Sequence, residues 1–334
     1  MEETFEIDKI IRNFLPEAKP EIVSWHQGEI NRVVIFSDAG KEFALRIKKK
    51  PFPESSLIFE KDFLDSLNNF VLSVEVSKIF PTVSGDYFFE DDEHFYSLMS
   101  RVPGAQRFEK WYESHLFTLE DVKQGFSILG LLHNSCRQIE IEDRKKSPSV
   151  LELLDQFEKR FAQTDSMVGV FHEAVVRERG FLLEKIGQIR DELKLANYEK
   201  LSLFPVHYDI NYTNVLWSGE KIVSLIDFDW AQFSTLEFDF AQMCKLTCGS
   251  FKISSGDNLL DEEKLRVALE AYNEKADVPL KDEKLLVTLL DCSSLFLAHW
   301  ASDTFSQEKT KEKYYLSFFQ AGLDRLRQEI KLLI

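Results

Sequence analysis

The sequence predicts an α+β chain in two parts. A small antiparallel sheet spans residues 1–100, a hinge lies at 101–104, and a mostly helical part runs over 105–334. Three observations predict this. Short β-type runs are separated by turn residues in the first hundred positions. Arg101-Val102-Pro103-Gly104 interrupts all periodicity. Helical spacing of apolar residues dominates after Phe117.

Taken in order, residues 21–25 (EIVSW) and 31–37 (NRVVIFS) read as strands, and Asp38-Ala39-Gly40-Lys41 reads as a tight turn into a third strand at 42–49 (EFALRIKK). Residues 56–69 carry apolar side chains at helical spacing. A second hairpin pairs YFFE with HFYSLMS around Asp91-Asp92. Thr118 followed by Asp121 has the form of a capping box for a helix ending near His133. Helices are expected near 149–163 and 168–196. Two short strands, VLW and VSLI, then flank Ser218-Gly219, and the remainder is helical.

Composition narrows the partners. Of 334 residues, 41 are Lys or Arg and 57 are Asp or Glu, a formal net charge of −16. Such a surface repels nucleic acid and anionic membranes and suits a neutral or cationic small molecule. Cys136, Cys244, Cys248 and Cys292 form no disulfide framework or zinc set and read as core thiols. Met1–Phe14 is acidic and lacks a signal-peptide core, and Asp291 breaks the apolar stretch Leu285–Ala301. A cytoplasmic protein with no membrane span is expected.

The chemistry concentrates in residues 204–231, FPVHYDINYTNVLWSGEKIVSLIDFDWA. His207-x-Asp209-x-x-x-x-Asn214 is followed across a hairpin by Asp227. Phosphoryl transfer needs oxygen ligands for Mg²⁺ and a carboxylate able to take the attacking hydroxyl's proton. Asn214 and Asp227 suit the first need and Asp209 the second, a division of labour that matches kinase catalysis by positioning and electrostatics.

These motifs, H-x-D-x-x-x-x-N and then I-D-F-D (Ile226 to Asp229), resemble the aminoglycoside phosphotransferase/choline kinase superfamily of small-molecule kinases. The resemblance implies a protein-kinase-like two-lobed fold, with ATP or GTP as phosphate donor and Mg²⁺ as cofactor. It makes Asp209 the catalytic base, has His207 order the loop, gives Asn214 and Asp227 to the metal, and makes Asp239 a structural brace. Gly28, within Gln27–Asn31, falls at the family's nucleotide loop. Arg46 stands where the family has a phosphate-contacting Lys, and the two cations differ in geometry. Glu60 matches the helix Glu that pairs with that cation. Met99, Ser100 and Val102 match the hinge that hydrogen-bonds the purine, with Val102 as the main backbone contact.

Other residues read as ordinary. His133 is expected to pack, and Lys48-Lys49-Lys50 to be a solvated strand end. Trp300 and Asp303 are candidates for the acceptor pocket. Asp229 and Glu237 either attract a cationic acceptor or, for Asp229, brace the loop. A protein kinase fits poorly: Asn211 replaces the usual basic residue, Phe-Asp rather than Phe-Gly follows Asp227, and no long activation segment separates Asp227 from Asp239. A catalytically silent nucleotide-binding module is the remaining alternative, with Arg46 its sole support. Within the superfamily, the acceptor is an aminoglycoside or a metabolite such as an amino alcohol, homoserine or a sugar.

Overall fold

A computed structural model describes residues 2–28, 31–143, 145–164, 169–249, 258–307 and 311–332. In chain order the elements are α1 (Glu2–Arg12), β1 (Glu21–Gln27), β2 (Asn31–Asp38), β3 (Lys41–Lys49), α2 (Glu54–Leu67), β4 (Glu75–Val76), β5 (Ile79–Phe80), β6 (Phe89–Glu90), β7 (His94–Ser100), α3 (Leu119–Cys136), α4 (Val150–Ala162), α5 (Gly169–Leu195), β8 (Phe204–Val206), β9 (Val215–Ser218), β10 (Lys221–Leu225), β11 (Gln232–Ser234), α6 (Leu236–Thr247), α7 (Glu262–Lys275), α8 (Glu283–Gln307) and α9 (Glu312–Leu326). They fall into two compact units. The first holds Met1–Ala105, Gln138–Lys145 and Val215–Ala231; the second holds Gln106–Arg137, Lys146–Asn214 and Gln232–Ile334.

In the first unit the strands run in the order β1-β2-β3-β7-β5, with β6 also on β7. Every pairing is antiparallel. The β2–β3 turn uses Ala39 and Gly40 at φ 49° and 78°, the left-handed pair that lets a two-residue hairpin follow the sheet's twist. Ile7 and Ile11, one turn apart on α1, pack against Val34, Phe36, Leu45, Ile47, Tyr96 and Leu98. Because strand side chains alternate, Leu45 and Ile47 face that core while Arg46 and Lys48 face the opposite way. A second sheet, β4-β10-β9, joins β10 to β4 in parallel and to β9 antiparallel.

In the second unit helix starts are chemically marked. Thr118 and Asp121 form a full capping box for α3, which continues to Cys136. Ser149 and Glu152 do the same for α4, and Thr235 caps α6 by accepting from the Phe238 amide. The apolar α8 is long enough to cross a membrane by length and hydropathy, yet most of it is buried inside the protein. The two short strands β8 and β11 pair antiparallel and so anchor the ends of the segment that carries the motif. All four cysteines are buried and unpaired, as read from the sequence.

Candidate active site

The first unit places a closed group of charges behind β3. Arg46 donates from Nη1 and Nη2 to the two Glu60 oxygens at 2.6 Å each, and from Nη1 to Asp229 Oδ1 at 2.9 Å. Planar, bidentate pairing of this kind is what a guanidinium does and an ammonium cannot. Lys48 Nζ lies 2.5 Å from the same Asp229 oxygen, over the Phe52 ring at 3.7 Å. Asn31 Nδ2 donates to Asp229 Oδ2 at 2.6 Å. Lys145 closes the group by donating to the Asp229 and Ala231 carbonyls.

Burial sets the electrostatics of this group. Desolvation opposes charge on Arg46, but Glu60 and Asp229 outweigh it and hold the guanidinium firmly protonated. Desolvation likewise opposes charge on Asp229, yet Arg46 and Lys48 keep its carboxyl below the usual range. For Lys48, burial and then the neighbouring Arg46 push the ammonium down. Burial also lowers Lys145 to about 8.

These contacts correct one expectation and resolve another. Lys48 is not a solvated strand end: it is 1% exposed and paired with Asp229, because it shares the inward face of β3 with Arg46. Only Lys49 of that run is exposed. Asp229 is a brace, buried among Arg46, Lys48 and Asn31. Its neighbour Asp227 is exposed, at φ 62°, while Phe228 between them is buried against Phe63 of α2. The left-handed backbone at Asp227 breaks the strand alternation that would put both carboxylates on one side, so Asp229 is buried while Asp227 stays at the surface.

The remaining first-unit candidates lie along strand ends. The Gly28 amide donates to the Asn31 carbonyl at 2.8 Å; Glu29 and Ile30 of that loop lie outside the described residues. Met99 pairs with Ala44 and Ile79, and Ser100 with Phe43. The Val102 side chain is buried, and among the described residues neither its amide nor its carbonyl has a hydrogen-bond partner.

The second unit holds the H-x-D-x-x-x-x-N loop. Tyr208 sits in the left-handed region at φ 68°, and its amide donates to Asp239 Oδ1 at 2.9 Å. Asp239 Oδ2 lies 2.9 Å from His133 Nε2, and His133 Nδ1 is 2.9 Å from the Tyr272 hydroxyl. A buried relay from α7 through α3 and α6 thus fixes the backbone next to Asp209. Such strain in a non-glycine residue persists only where the surroundings over-determine it. His133 is indeed a packed residue, with this added duty. His207 is fully buried within the same loop.

Asp209 is partly exposed. Asn214 Nδ2 donates to both its carbonyl, at 2.9 Å, and its Oδ2, at 3.0 Å. Both amide protons of Asn214 are therefore directed at Asp209, and the amide Oδ1 remains as an acceptor. Asn211 Oδ1 accepts from the Thr213 amide and tightens the same turn. Val215, next after Asn214, pairs with Leu225, two residues before Asp227.

Trp300 is half-buried in an aromatic group with Trp111, Tyr315 and Phe318. Asp303 is exposed and Glu237 half-buried.

The sequence profile of the phosphotransferase enzyme family (APH) matches residues 21–290. The chain belongs to this phosphotransferase family. Its fold is that of solved small-molecule kinases, with an antiparallel-sheet N-terminal region and a helical C-terminal part. This phosphotransferase superposes on a microcompartment-associated aminopropanol kinase with TM-score 0.68 at 17% identity, covering 95% of both chains. With an ethanolamine kinase from Plasmodium vivax the TM-score is 0.62 at 15% identity, over 96% of this chain and 85% of that one. With an aminoglycoside phosphotransferase from Alicyclobacillus acidocaldarius it is 0.60 at 14% identity, over 96% and 95%. A homoserine kinase from Janthinobacterium sp. (strain Marseille) is 29% identical over 98 residues, a match spanning 29% of this phosphotransferase and 29% of that enzyme.

Sequence reasoning missed Lys48, Lys145 and the His133–Asp239 contact. A signal for Lys48 was present: two residues from Arg46 on a strand means the same face. Nothing local marks Lys145, which joins the group only through long-range folding.

Proposed function

We propose that this phosphotransferase moves the γ-phosphate of ATP or GTP, in a Mg²⁺-dependent reaction, onto a hydroxyl of a small amine-bearing molecule. The observation that carries the reading is the state of the catalytic loop: Asn214 clamps Asp209 through both its carbonyl and its carboxylate, while Tyr208 is tethered to Asp239. A carboxylate held this firmly is pre-positioned to orient an attacking hydroxyl and take its proton, which lowers the entropic cost of the encounter. His207, buried beneath, orders the loop.

The residues fit Mg²⁺ that arrives with the nucleotide. Mg²⁺ is commonly held by one or two protein oxygens plus phosphate and water. Among the described residues no group of three or more His, Cys, Asp or Glu is placed to hold a resident ion. Asn214 Oδ1 and the exposed Asp227 carboxylate are the oxygens this reading gives to the metal. When bound, Mg²⁺ would neutralise charge on the phosphates.

For the nucleotide, residues 1–100 form the binding region and 101–104 the hinge, with 105–334 carrying the catalytic loop and acceptor pocket. The unpartnered amide and carbonyl of Val102 suit hydrogen bonds to a purine edge, beside Met99 and Ser100. Arg46, braced by Glu60, provides the cationic wall near the phosphates, and Gly28 leaves room in the strand-to-strand loop. Four buried free thiols suit a reducing, cytoplasmic setting.

Relatives named for homoserine, aminopropanol and ethanolamine as well as aminoglycosides support an amine-bearing acceptor. Purified protein with Mg²⁺-ATP should release ADP faster with at least one amino alcohol, hydroxy amino acid or amino sugar. Asp227→Ala should weaken binding of Mg²⁺-nucleotide. No stimulation across that panel, with binding intact, would instead favour a silent nucleotide-binding module.

A further inference from the structure

The inward face of the β2–β3 ladder carries a directly opposed pair, Asn31 and Lys48, whose side chains meet on one carboxylate. Asn31 Nδ2 donates to Asp229 Oδ2 at 2.6 Å, and Lys48 Nζ lies 2.5 Å from Asp229 Oδ1. Arg46, on the same face of β3, adds its 2.9 Å contact to Oδ1. All four side chains are buried. Among the described residues Oδ2 thus has Asn31 as its donor, while Oδ1 has two cations. Committing the amide nitrogen to Asp229 leaves Asn31 Oδ1 buried and without a hydrogen-bond partner among the described residues. An orphaned buried acceptor is costly and calls for a reason beyond stability.

The reason lies two residues before Asp229. Asp227, whose carboxylate the reading above gives to the metal, sits in the left-handed region at φ 62°. A residue other than glycine keeps that conformation only where its surroundings fix it. On the N-terminal side the fixing comes from β10, whose last residue Leu225 pairs with both Val76 and Val215. On the C-terminal side Phe228 packs against Phe63, and Lys145 donates to the Asp229 and Ala231 carbonyls. The Asp229 side chain completes that side from its three donors. The Asp227 side chain is exposed, so its direction is set by this backbone.

We propose that Asn31 and Lys48 are positioning residues for Mg²⁺: by seating Asp229 they fix the backbone at Asp227 and with it the direction of the Asp227 carboxylate. The pair is given no contact with metal or phosphate and acts only through Asp227, on whose metal role, as read above, the inference rests. Residues that orient a metal's ligands tune its affinity without touching it. A pair that merely held the strands together would change nucleotide binding alike with and without the metal.

The test is binding of a fluorescent ATP analogue to the full chain, titrated with Mg²⁺ and repeated in EDTA. It compares wild type, Asn31→Ala, Lys48→Met, Asp227→Ala and the double variant Asn31→Ala with Asp227→Ala. Asn31→Ala keeps Arg46 and Lys48 on Asp229. Its Mg²⁺ concentration at half-maximal binding should rise by about tenfold or more, while its affinity in EDTA stays that of wild type. Lys48→Met should shift the Mg²⁺ dependence in the same direction; if it fails to fold, Asn31→Ala decides alone. On the Asp227→Ala background, where no carboxylate remains to be oriented, Asn31→Ala should have no further effect. An unchanged Mg²⁺ midpoint, an equal loss of affinity with and without Mg²⁺, or an additive effect in the double variant overturns the proposal. Wild-type Mg²⁺ dependence in Asp227→Ala would instead remove the underlying metal reading.

Discussion

Replacing Arg46 with Met removes three charge-assisted hydrogen bonds, at 2.6, 2.6 and 2.9 Å. Asp229 keeps Lys48 and Asn31, so the loss falls chiefly on Glu60, which is 2% exposed and loses its direct cation. Breaking one partner of a buried pair costs about 3–5 kcal/mol, because the remaining charge stays desolvated. With a urea slope of about 1–3 kcal/mol per molar, the unfolding midpoint should fall by at least about 1 M. Arg46→Lys keeps the charge but a single ammonium cannot span both Glu60 oxygens. It forfeits one or two charged hydrogen bonds of about 1.5–3 kcal/mol each and should fall between wild type and Arg46→Met. Combining Arg46→Met with Glu60→Gln should recover part of the loss, since the orphaned charge is gone. The assay is urea denaturation followed by circular dichroism. A loss below about 1 kcal/mol for Arg46→Met, as for an exposed pair, or strict additivity in the double variant, would refute the reasoning.

Three further outcomes are expected. Gly104 has φ 99°, and a Cβ there would meet Val223 Cγ2 at 2.8 Å and Leu216 Cβ at 2.9 Å; Gly104→Ala should cost roughly 1–3 kcal/mol in thermal unfolding. Asp239→Asn weakens the tie from the Tyr208 amide to His133. It should lower kcat by about tenfold or more while calorimetry shows unchanged nucleotide affinity. Lys245 on α6, lowered by burial to about 7 when folded and at about 10.4 when unfolded, binds fewer protons in the folded state between those values. Wild-type stability should therefore rise with pH relative to Lys245→Met, approaching about 1.4 kcal/mol per pH unit between 8 and 9; parallel stability curves would contradict the burial of a charged Lys245.

The strands and capped helices were legible because their signals are local. The Asp38–Lys41 turn lies where its Ala-Gly pair predicts, and the Thr118–Asp121 capping box is complete. The α1 helix is not legible although Ile7, Ile10 and Ile11 carry its spacing, because an eleven-residue segment offers too short a run of the pattern. Strands β4, β5, β8 and β11 have two or three residues each, too few for a period to show. The site divides the same way. The pairing of Arg46 with Glu60, read by resemblance, is present in the structure. The burial of Lys48 needed the knowledge that both faces of β3 are covered, one by α1 and the other by a charged group. Lys245 looks like any helical lysine in the sequence, and only the packing of α6 against α8 withdraws it from water.

The most direct test of the account is Asp209→Asn, a change of one oxygen to an amide in a loop held by Asn214 and Asp239. With Mg²⁺-ATP and a responsive acceptor, kcat is predicted to fall by about 10²–10⁴, while a fluorescent nucleotide binds within about twofold of wild type. Turnover near the wild-type rate would show that another group handles the hydroxyl, and the assignment of chemistry to this loop would be wrong.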